Sequence, residues 1–199
     1  MKIVKITGRA FHLSGDDIDT DRIIPARFLR CVTFDGLGEH VFEDDRQQLK
    51  GSHPFDQPDN KGCEILIADV NFGCGSSREH AVAALQRFGI KVIIARSFAA
   101  IFRGNATANG LVCVELSDKD HLALLQFEFV AKNVVLETDL EQMTVTAPES
   151  LDRRSWKCTM PSADRDMLTT GTWDTTATLL EAGDVIEATA EKLSYMKVA

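Results

Sequence analysis

The chain has 199 residues, of which 44% are hydrophobic and 26% charged, proportions that exclude a disordered chain. A folded chain of this length buries roughly 70% of its unfolded surface, enough for a substantial core within one domain. Its 30 acidic side chains outnumber 22 basic ones, for a net charge of −8, which excludes a general nucleic-acid binder, because backbone phosphates are held by clustered Lys and Arg.

Val4 to Leu13 reads as a strand, with Lys, Thr and Arg spaced between Ile, Gly and Phe. An acidic, turn-rich stretch follows, Ser14-Gly15-Asp16-Asp17-Ile18-Asp19-Thr20-Asp21, and ends in Arg22-Ile23-Ile24-Pro25. From Arg30 to Gly62 the pattern is weak, with Gly36, Gly38, Gly51, Pro54 and Pro58 among charges; a long, partly mobile excursion is expected there. The middle is clearer. Glu64 to Val70 is an apolar run fit for a buried strand. Asn71 to Gly75 makes a turn, and Ser76 to Phe88 carries Ala81, Ala84, Leu85 and Phe88 at helical spacing until Gly89 stops it.

Val92-Ile93-Ile94-Ala95 is a second buried strand, Ser97 to Ala108 a helix closed by Asn109-Gly110, and Leu111 to Leu116 a third strand. Strand–helix–strand–helix–strand with short turns predicts parallel pairing. Further on, Val134 to Thr138 and Met143 to Thr146 predict a hairpin across Asp139 to Gln142. Asp164 to Leu168, Thr175 to Glu181 and Asp184 to Leu193 predict short helices, the last with a capping box of Asp184 and Glu187. The fold class is therefore α/β, a parallel-rich sheet with flanking helices, a β-hairpin and C-terminal short helices. The whole chain, 1–199, is read as one domain, with a core over 4–116 and C-terminal additions over 130–199.

The residues with the most chemistry lie in Asn71-Phe72-Gly73-Cys74-Gly75-Ser76-Ser77-Arg78-Glu79-His80, between a buried strand and a helix. The glycines permit a tight turn, and Ser76 with Glu79 fits a capping box. A helix start offers unpaired amides and a positive dipole end to an anion. Ser77 adds a hydroxyl, and Arg78 a fork of donors matched to a carboxylate or phosphate. The same residues also satisfy a purely structural turn and cap. A dinucleotide fingerprint fails because Arg78 stands where the third glycine belongs, and no Gly-Lys-Ser/Thr completes a phosphate loop. Cys74 has no base placed beside it by the sequence, and His80 is expected on the first helical turn, as a structural residue or one that supports a site residue from behind.

Asp17, Asp19 and Asp21 match the first spacings of a calcium loop, but Arg22 and Phe28 occupy the positions that require Gly and Glu. Two readings remain for this stretch: Asx-type turns that fix a loop, or a carboxylate aimed into a site, for which Asp21 is the best placed. Arg27, Arg30 and Arg103 are either carboxylate binders or solvated surface arginines, and Asn105 and Asn109 are cap and turn residues. The five cysteines are widely spaced and show no zinc or iron–sulfur pattern, so no metal ligands are assigned to this chain. No stretch approaches the ~20 apolar residues of a membrane helix, and the alternating N-terminus lacks a signal core. A reducing, cytoplasmic setting without membrane contact is expected.

Two segments together, Gly15 to Ala26 and Asn71 to Ala81, resemble the small subunits of 3-isopropylmalate dehydratases, which correspond to the swivel domain of the aconitase superfamily. The likeness continues through Ile93 to Ala99 and Asn109-Gly110-Leu111, and so covers most of residues 4–116. The resemblance implies one half of a two-subunit hydro-lyase of leucine biosynthesis, which interconverts 2- and 3-isopropylmalate through a dehydrated intermediate. It also implies that a [4Fe–4S] cluster sits in a large-subunit partner and not in this chain. By similarity, Ser76 is the base that removes a proton next to a carboxylate. Ser77 and Arg78 bind substrate carboxylate, and Asp21 faces the active site and orients a group of the large subunit. Arg30, in the loop after Pro25 where the family varies with substrate, would either pair with an extra carboxylate, as in homoaconitase-like relatives, or be a surface residue beside an aliphatic pocket. Homoaconitase-like and methylmalate-type dehydratases share these features. A stand-alone carboxylate-binding module is the alternative from another class.

Overall fold

The structure, a computed structural model, describes residues 1–30, 33–76, 78–131, 134–148, 153–181 and 183–193. Its frame is seven strands: β1 (Lys5–Leu13), β2 (Ile65–Ala68), β3 (Val92–Ala95), β4 (Val112–Leu116), β5 (Val135–Asp139), β6 (Thr144–Thr146) and β7 (Ser155–Thr159). The first four pair in parallel and in chain order, with Leu13 beside Ala68, Ile67 beside Ile94 and Ile94 beside Val114. The predicted hairpin forms as β5 and β6. It does more than decorate the sheet: β7 pairs antiparallel with β4 and β6, β5 pairs with β1, and the sheet closes into a barrel. Neither β7 nor the closure follows from the sequence pattern.

The central strands read as continuous apolar runs because both their faces are covered. Ile65, Ile67, Val92, Ile94, Val112 and Val114 lie in one buried cluster with Leu136, Val145 and Trp156, the face on which all seven strands meet. The alternate residues Leu66, Ala68, Ile93, Ala95 and Cys113 lie in a second cluster with the helices. Of these helices, α1 (Thr20–Ile23) and α2 (Glu43–Leu49) lie between β1 and β2, and α3 (Glu79–Phe88) links β2 to β3. α4 (Ala100–Ala108) links β3 to β4, and α5 (Asp118–Ala131) runs from β4 toward β5. α6 (Ser162–Thr170), α7 (Thr175–Glu181) and α8 (Gly183–Ala190) follow β7.

Two expectations need correction. The excursion from Arg30 to Gly62 is not a loose loop: apart from residues 31–32, outside the described set, it is built from α2 and short 3₁₀ turns at Leu37–His40, Pro54–Asp56 and Pro58–Asn60. Leu37, Val41, Phe42 and Phe55 are buried in the helix-side core. Phe55 packs its ring 5.0 Å from Phe11, 4.9 Å from Phe42 and 4.7 Å from Phe88, and Arg46 ties α2 to Asp56 at 2.7 Å. Anchors spaced this irregularly leave no helical or strand period to read. The second correction concerns α8, which is already helical at Gly183, so Asp184 lies inside the helix and is not its N-cap.

Candidate active site

β1 and β2 are neighbours, so the loops leaving their carboxyl ends run side by side. They join rung by rung in sequence order. Gly15 N donates to Asp69 Oδ2 at 2.7 Å, Val70 N to Asp16 Oδ1 at 3.0 Å, and Asp17 N to Val70 O at 2.9 Å. Asn71 Nδ2 donates to Asp17 Oδ1 at 2.7 Å, and Gly73 N to Ile18 O at 2.8 Å. Thr20 N then donates to Cys74 O at 2.9 Å and the Thr20 hydroxyl to Ser76 O at 2.9 Å. The last rung is an ion pair, in which Arg78 Nη1 stands 2.6 Å from Asp21 Oδ1 and Nη2 2.9 Å from Oδ2. The two segments singled out in the sequence thus form one structure at the carboxyl ends of parallel strands.

Each acid of the first loop has a partner. Asp16 and Asp17 are rungs, Asp19 accepts from Arg22 N at 2.8 Å as the N-cap of α1, and Asp21 pairs with Arg78. Only Asp19 makes the local side-chain-to-backbone bond of the turn reading; Asp16 and Asp17 reach across to the second loop instead, and Asp21 joins it through an ion pair. Below the loops, Asp69 Oδ1 lies 3.1 Å from His12 Nε2. The turn itself depends on two glycines. Gly73 has φ +78°, and a Cβ there would come within 2.6 Å of Phe102 side-chain atoms; Gly75 has φ +91° with only ordinary contacts around it. Phe72 locks the turn from the other side, pairing with β3's exit through Phe72 N to Ser97 O (3.1 Å) and Ala99 N to Phe72 O (3.0 Å).

The predicted capping box at Ser76 does not form. The chain stays extended through Arg78, whose φ of −139° and ψ of 106° make it the N-cap of α3, and no side chain caps that helix. The Thr20 bond to Ser76 O and the Arg78–Asp21 pair hold this stretch against the first loop, which delays the helix until Glu79. Ser76 is left exposed, and its hydroxyl makes no bond to a described residue. Ser77 lies outside the described residues. The Arg78 side chain is only 14% exposed against 54% for Asp21, and its Nε is buried with no partner among the described residues.

The remaining candidates separate from this centre. Arg30 ends the 3₁₀ turn Ala26–Arg30, is exposed, and forms no hydrogen bond or ion pair with a described residue. Arg27 is held by Asp44 and Glu43 at 2.7 Å each, and Arg103 by Glu115 at 3.1 Å and Asp164 at 3.4 Å. Asn109 caps α4 and bonds back to Asn105 O. The Cys74 thiol donates to Asp17 O at 3.3 Å. Burial, followed by the nearby Asp19 and Asp17 charges, pushes its pKa up, which suits a structural thiol and not a nucleophile. His80 packs edge-on to Phe34 with ring centres 5.1 Å apart. Thr20 and Asp69, the two side chains that fasten the loops, are not singled out by the sequence; one threonine in an acidic turn and one aspartate at a strand end carry no signature.

Among the described residues no group of three or more His, Cys, Asp or Glu is placed to hold a metal ion. Cys63, Cys113 and Cys158 are buried, and burial raises the Cys158 thiol to about 11. These residues do not fit an iron–sulfur cluster.

Residues 1–119 match the aconitase C-terminal domain family. The 3-isopropylmalate dehydratase small subunit of Synechocystis is 49% identical over 98% of this chain and 96% of its own length. That of Thermus thermophilus is 44% identical over the same shares. The chain belongs to the aconitase C-terminal domain family, among the 3-isopropylmalate dehydratase small subunits. A crystal structure of 3-isopropylmalate dehydratase from Methanocaldococcus jannaschii, 29% identical, superimposes with a TM-score of 0.66 over 90% of this chain and 99% of that one. The family match ends at residue 119, just after β4, so it spans the four parallel strands and both loops of the site. It stops short of the strands that close the barrel.

Proposed function

We propose that this chain is the small subunit of a 3-isopropylmalate dehydratase, a hydro-lyase of leucine biosynthesis that isomerises 2- and 3-isopropylmalate by dehydration and rehydration. The observation that carries the reading is the rung-by-rung joining of the two loops, which gathers Asp21, Ser76 and Arg78 at the start of α3. Nothing in a simple anion-binding module requires Asp21 there, whereas an active site shared between subunits does. In this reading Ser76 takes the proton from the carbon next to a substrate carboxylate and returns one in the reverse direction. A serine alkoxide is too basic to stand free at neutral pH. The amides at the start of α3 and the Arg78 charge lower its cost, and closure by a partner excludes water. Ser77 and Arg78 clamp the carboxylate, Arg78 through its planar fork.

The partner in this reading is a large subunit carrying the [4Fe–4S] cluster. Asp21, exposed at the rim, orients a group of that subunit. Arg30, exposed at the end of its 3₁₀ turn, would meet the variable part of the substrate only in the assembled enzyme, with an aliphatic group or an extra carboxylate as the two substrate types it would distinguish. The compartment proposed is the cytoplasm, where thiols such as Cys74, Cys113 and Cys158 stay reduced.

The test is turnover of this chain mixed anaerobically with its large subunit, with each subunit alone as control. Activity only in the mixture, highest with 3-isopropylmalate among 3-isopropylmalate, homoisocitrate, isocitrate and 2-methylmalate, is the expected result. A preference for homoisocitrate moves the function to the sister reaction and points to Arg30. Inactivity with all four, in a formed complex with an intact cluster, overturns the enzyme reading.

A further inference from the structure

The Asp21–Arg78 pair has the geometry of a bound ligand more than that of a structural tie. Asp21 Oδ2 accepts from Arg78 Nη2 at 2.9 Å while Oδ1 stands 2.6 Å from Nη1, a carboxylate lying against the guanidinium as a carboxylate ligand would. The two halves are held unequally. Arg78 is 14% exposed and follows a backbone turn held by Gly73 and the Thr20 bond, so its side chain is packed into the protein. Asp21 is 54% exposed, stands on the four-residue helix α1, and its carboxylate has no hydrogen-bond or ion-pair partner other than Arg78 among the described residues. With Asp21 seated, Nε and Nη1 of Arg78 are both sealed from solvent, and neither completes a hydrogen bond to a described residue. No second carboxylate reaches the fork in this arrangement.

We infer that in the unassembled chain Asp21 is a stand-in for a substrate carboxylate: it fills the fork of Arg78, and the clamp accepts a carboxylate ligand only after Asp21 is drawn away. This rests on the proposed role of Arg78 as a carboxylate clamp, and it gives Asp21 a function before assembly as well as after it. Whatever withdraws Asp21 must replace the charge it loses, so the partner contributes a cationic side chain at this rim. Because the acid half is exposed, the pair is weakly held and easily exchanged. Assembly and substrate binding are thereby coupled: the chain alone holds its clamp occupied, and the complex holds it open.

The experiment uses the full chain without its partner, labelled with ¹⁵N-arginine, and follows the Arg78 side-chain Nε–H while 3-isopropylmalate is added. The signal is assigned by its loss in Arg78→Lys. Asp21→Ala is expected to shift the Arg78 signal at ligand concentrations about fivefold lower than wild type, the ratio an exposed ion pair supports. Asp21→Asn, which keeps the shape and loses the charge, falls between them and replaces Asp21→Ala if that variant is unfolded. Equal midpoints for wild type and the Asp21 variants overturn the stand-in role and leave the dehydratase reading untouched. No Arg78 shift in any of the proteins at saturating ligand overturns both the stand-in role and Arg78 as the carboxylate clamp, while turnover of the assembled enzyme decides the reaction separately.

Discussion

The Thr20 hydroxyl donates to the carbonyl of Ser76 across 2.9 Å, and so a side chain from the loop after β1 sets the position of a residue in the loop after β2. Thr20 itself is 1% exposed, wedged between the Asp19 cap and Asp21. Thr20→Val keeps the shape and removes the donor. It is expected to cost about 1 kcal/mol of stability and to lower kcat more than it raises KM, since the reacting hydroxyl loses its anchor while the carboxylate clamp stays. Urea unfolding and steady-state kinetics of the assembled enzyme measure the two effects; an unchanged kcat would show that Ser76 is positioned without this bond.

Ser76→Ala tests the base directly. Ser76 caps no helix and its hydroxyl bonds to no described residue, so the substitution is expected to change stability by no more than about 0.5 kcal/mol. Turnover is expected to fall by roughly 10²–10⁴-fold, the range for removal of a general base. Turnover at the wild-type level would reassign the proton transfer to another group.

Gly73 and Gly75 differ in what surrounds them, and their alanine variants are expected to differ accordingly. Gly75→Ala meets only the positive φ and should cost about 1–2 kcal/mol. Gly73→Ala meets the same strain and also the Phe102 ring, for a total of about 3 kcal/mol or more. Denaturation midpoints rank the two; an equal loss would mean that Phe102 moves aside at no cost.

Two buried histidines give the chain an acid limit. His53 and His121 are each 2% exposed. Burial is the first cause holding both below the ordinary value of 6.5. His53 Nδ1 accepts from Phe55 N at 3.2 Å and therefore needs its neutral form, while His121 Nε2 lies 2.7 Å from Ala68 O. The unfolded chain takes up protons on these rings before the folded chain does. Stability is therefore complete above pH 6.5 and is lost as pH falls below it toward the lower folded-state values, by at most about 1.4 kcal/mol per pH unit for each ring. Urea midpoints between pH 8 and 5 should show this decline, and His121→Gln should flatten it.

The parts of this fold legible in the sequence are those where one local rule acts alone. β2, β3 and β4 are short apolar runs between punctuating glycines, and α3 shows its buried face at Ala81, Ala84 and Leu85. β5 and β6 alternate cleanly across the Asp139 turn, where Asp139 caps the Glu141 and Gln142 amides. What escapes a local reading is set by partners distant in sequence. β7 has only Trp156 and Cys158 turned inward among exposed neighbours, and it is a strand because β4 and β6 leave a gap of one strand between them. α5 is not predicted at all. At the site, the motif predicts the turn and the company of Asp21, Ser76 and Arg78. It misplaces the N-cap of that helix by two residues, at Ser76 where the structure has Arg78, because an Arg–Asp pair spanning 57 positions outweighs a local serine cap.

Closure of the barrel has a consequence for how this chain meets any other. β1 is paired on one side with β2 and on the other with β5, and every other strand likewise has two neighbours. Among the described residues the sheet therefore has no edge strand with a single neighbour, the usual platform for another strand to join. Self-templated stacking of strands, the ordinary hazard of a subunit made apart from its mate, finds no edge strand to start from in the folded chain. Recognition falls instead to side chains on helices and loops, where the choice of partner is written by shape and charge.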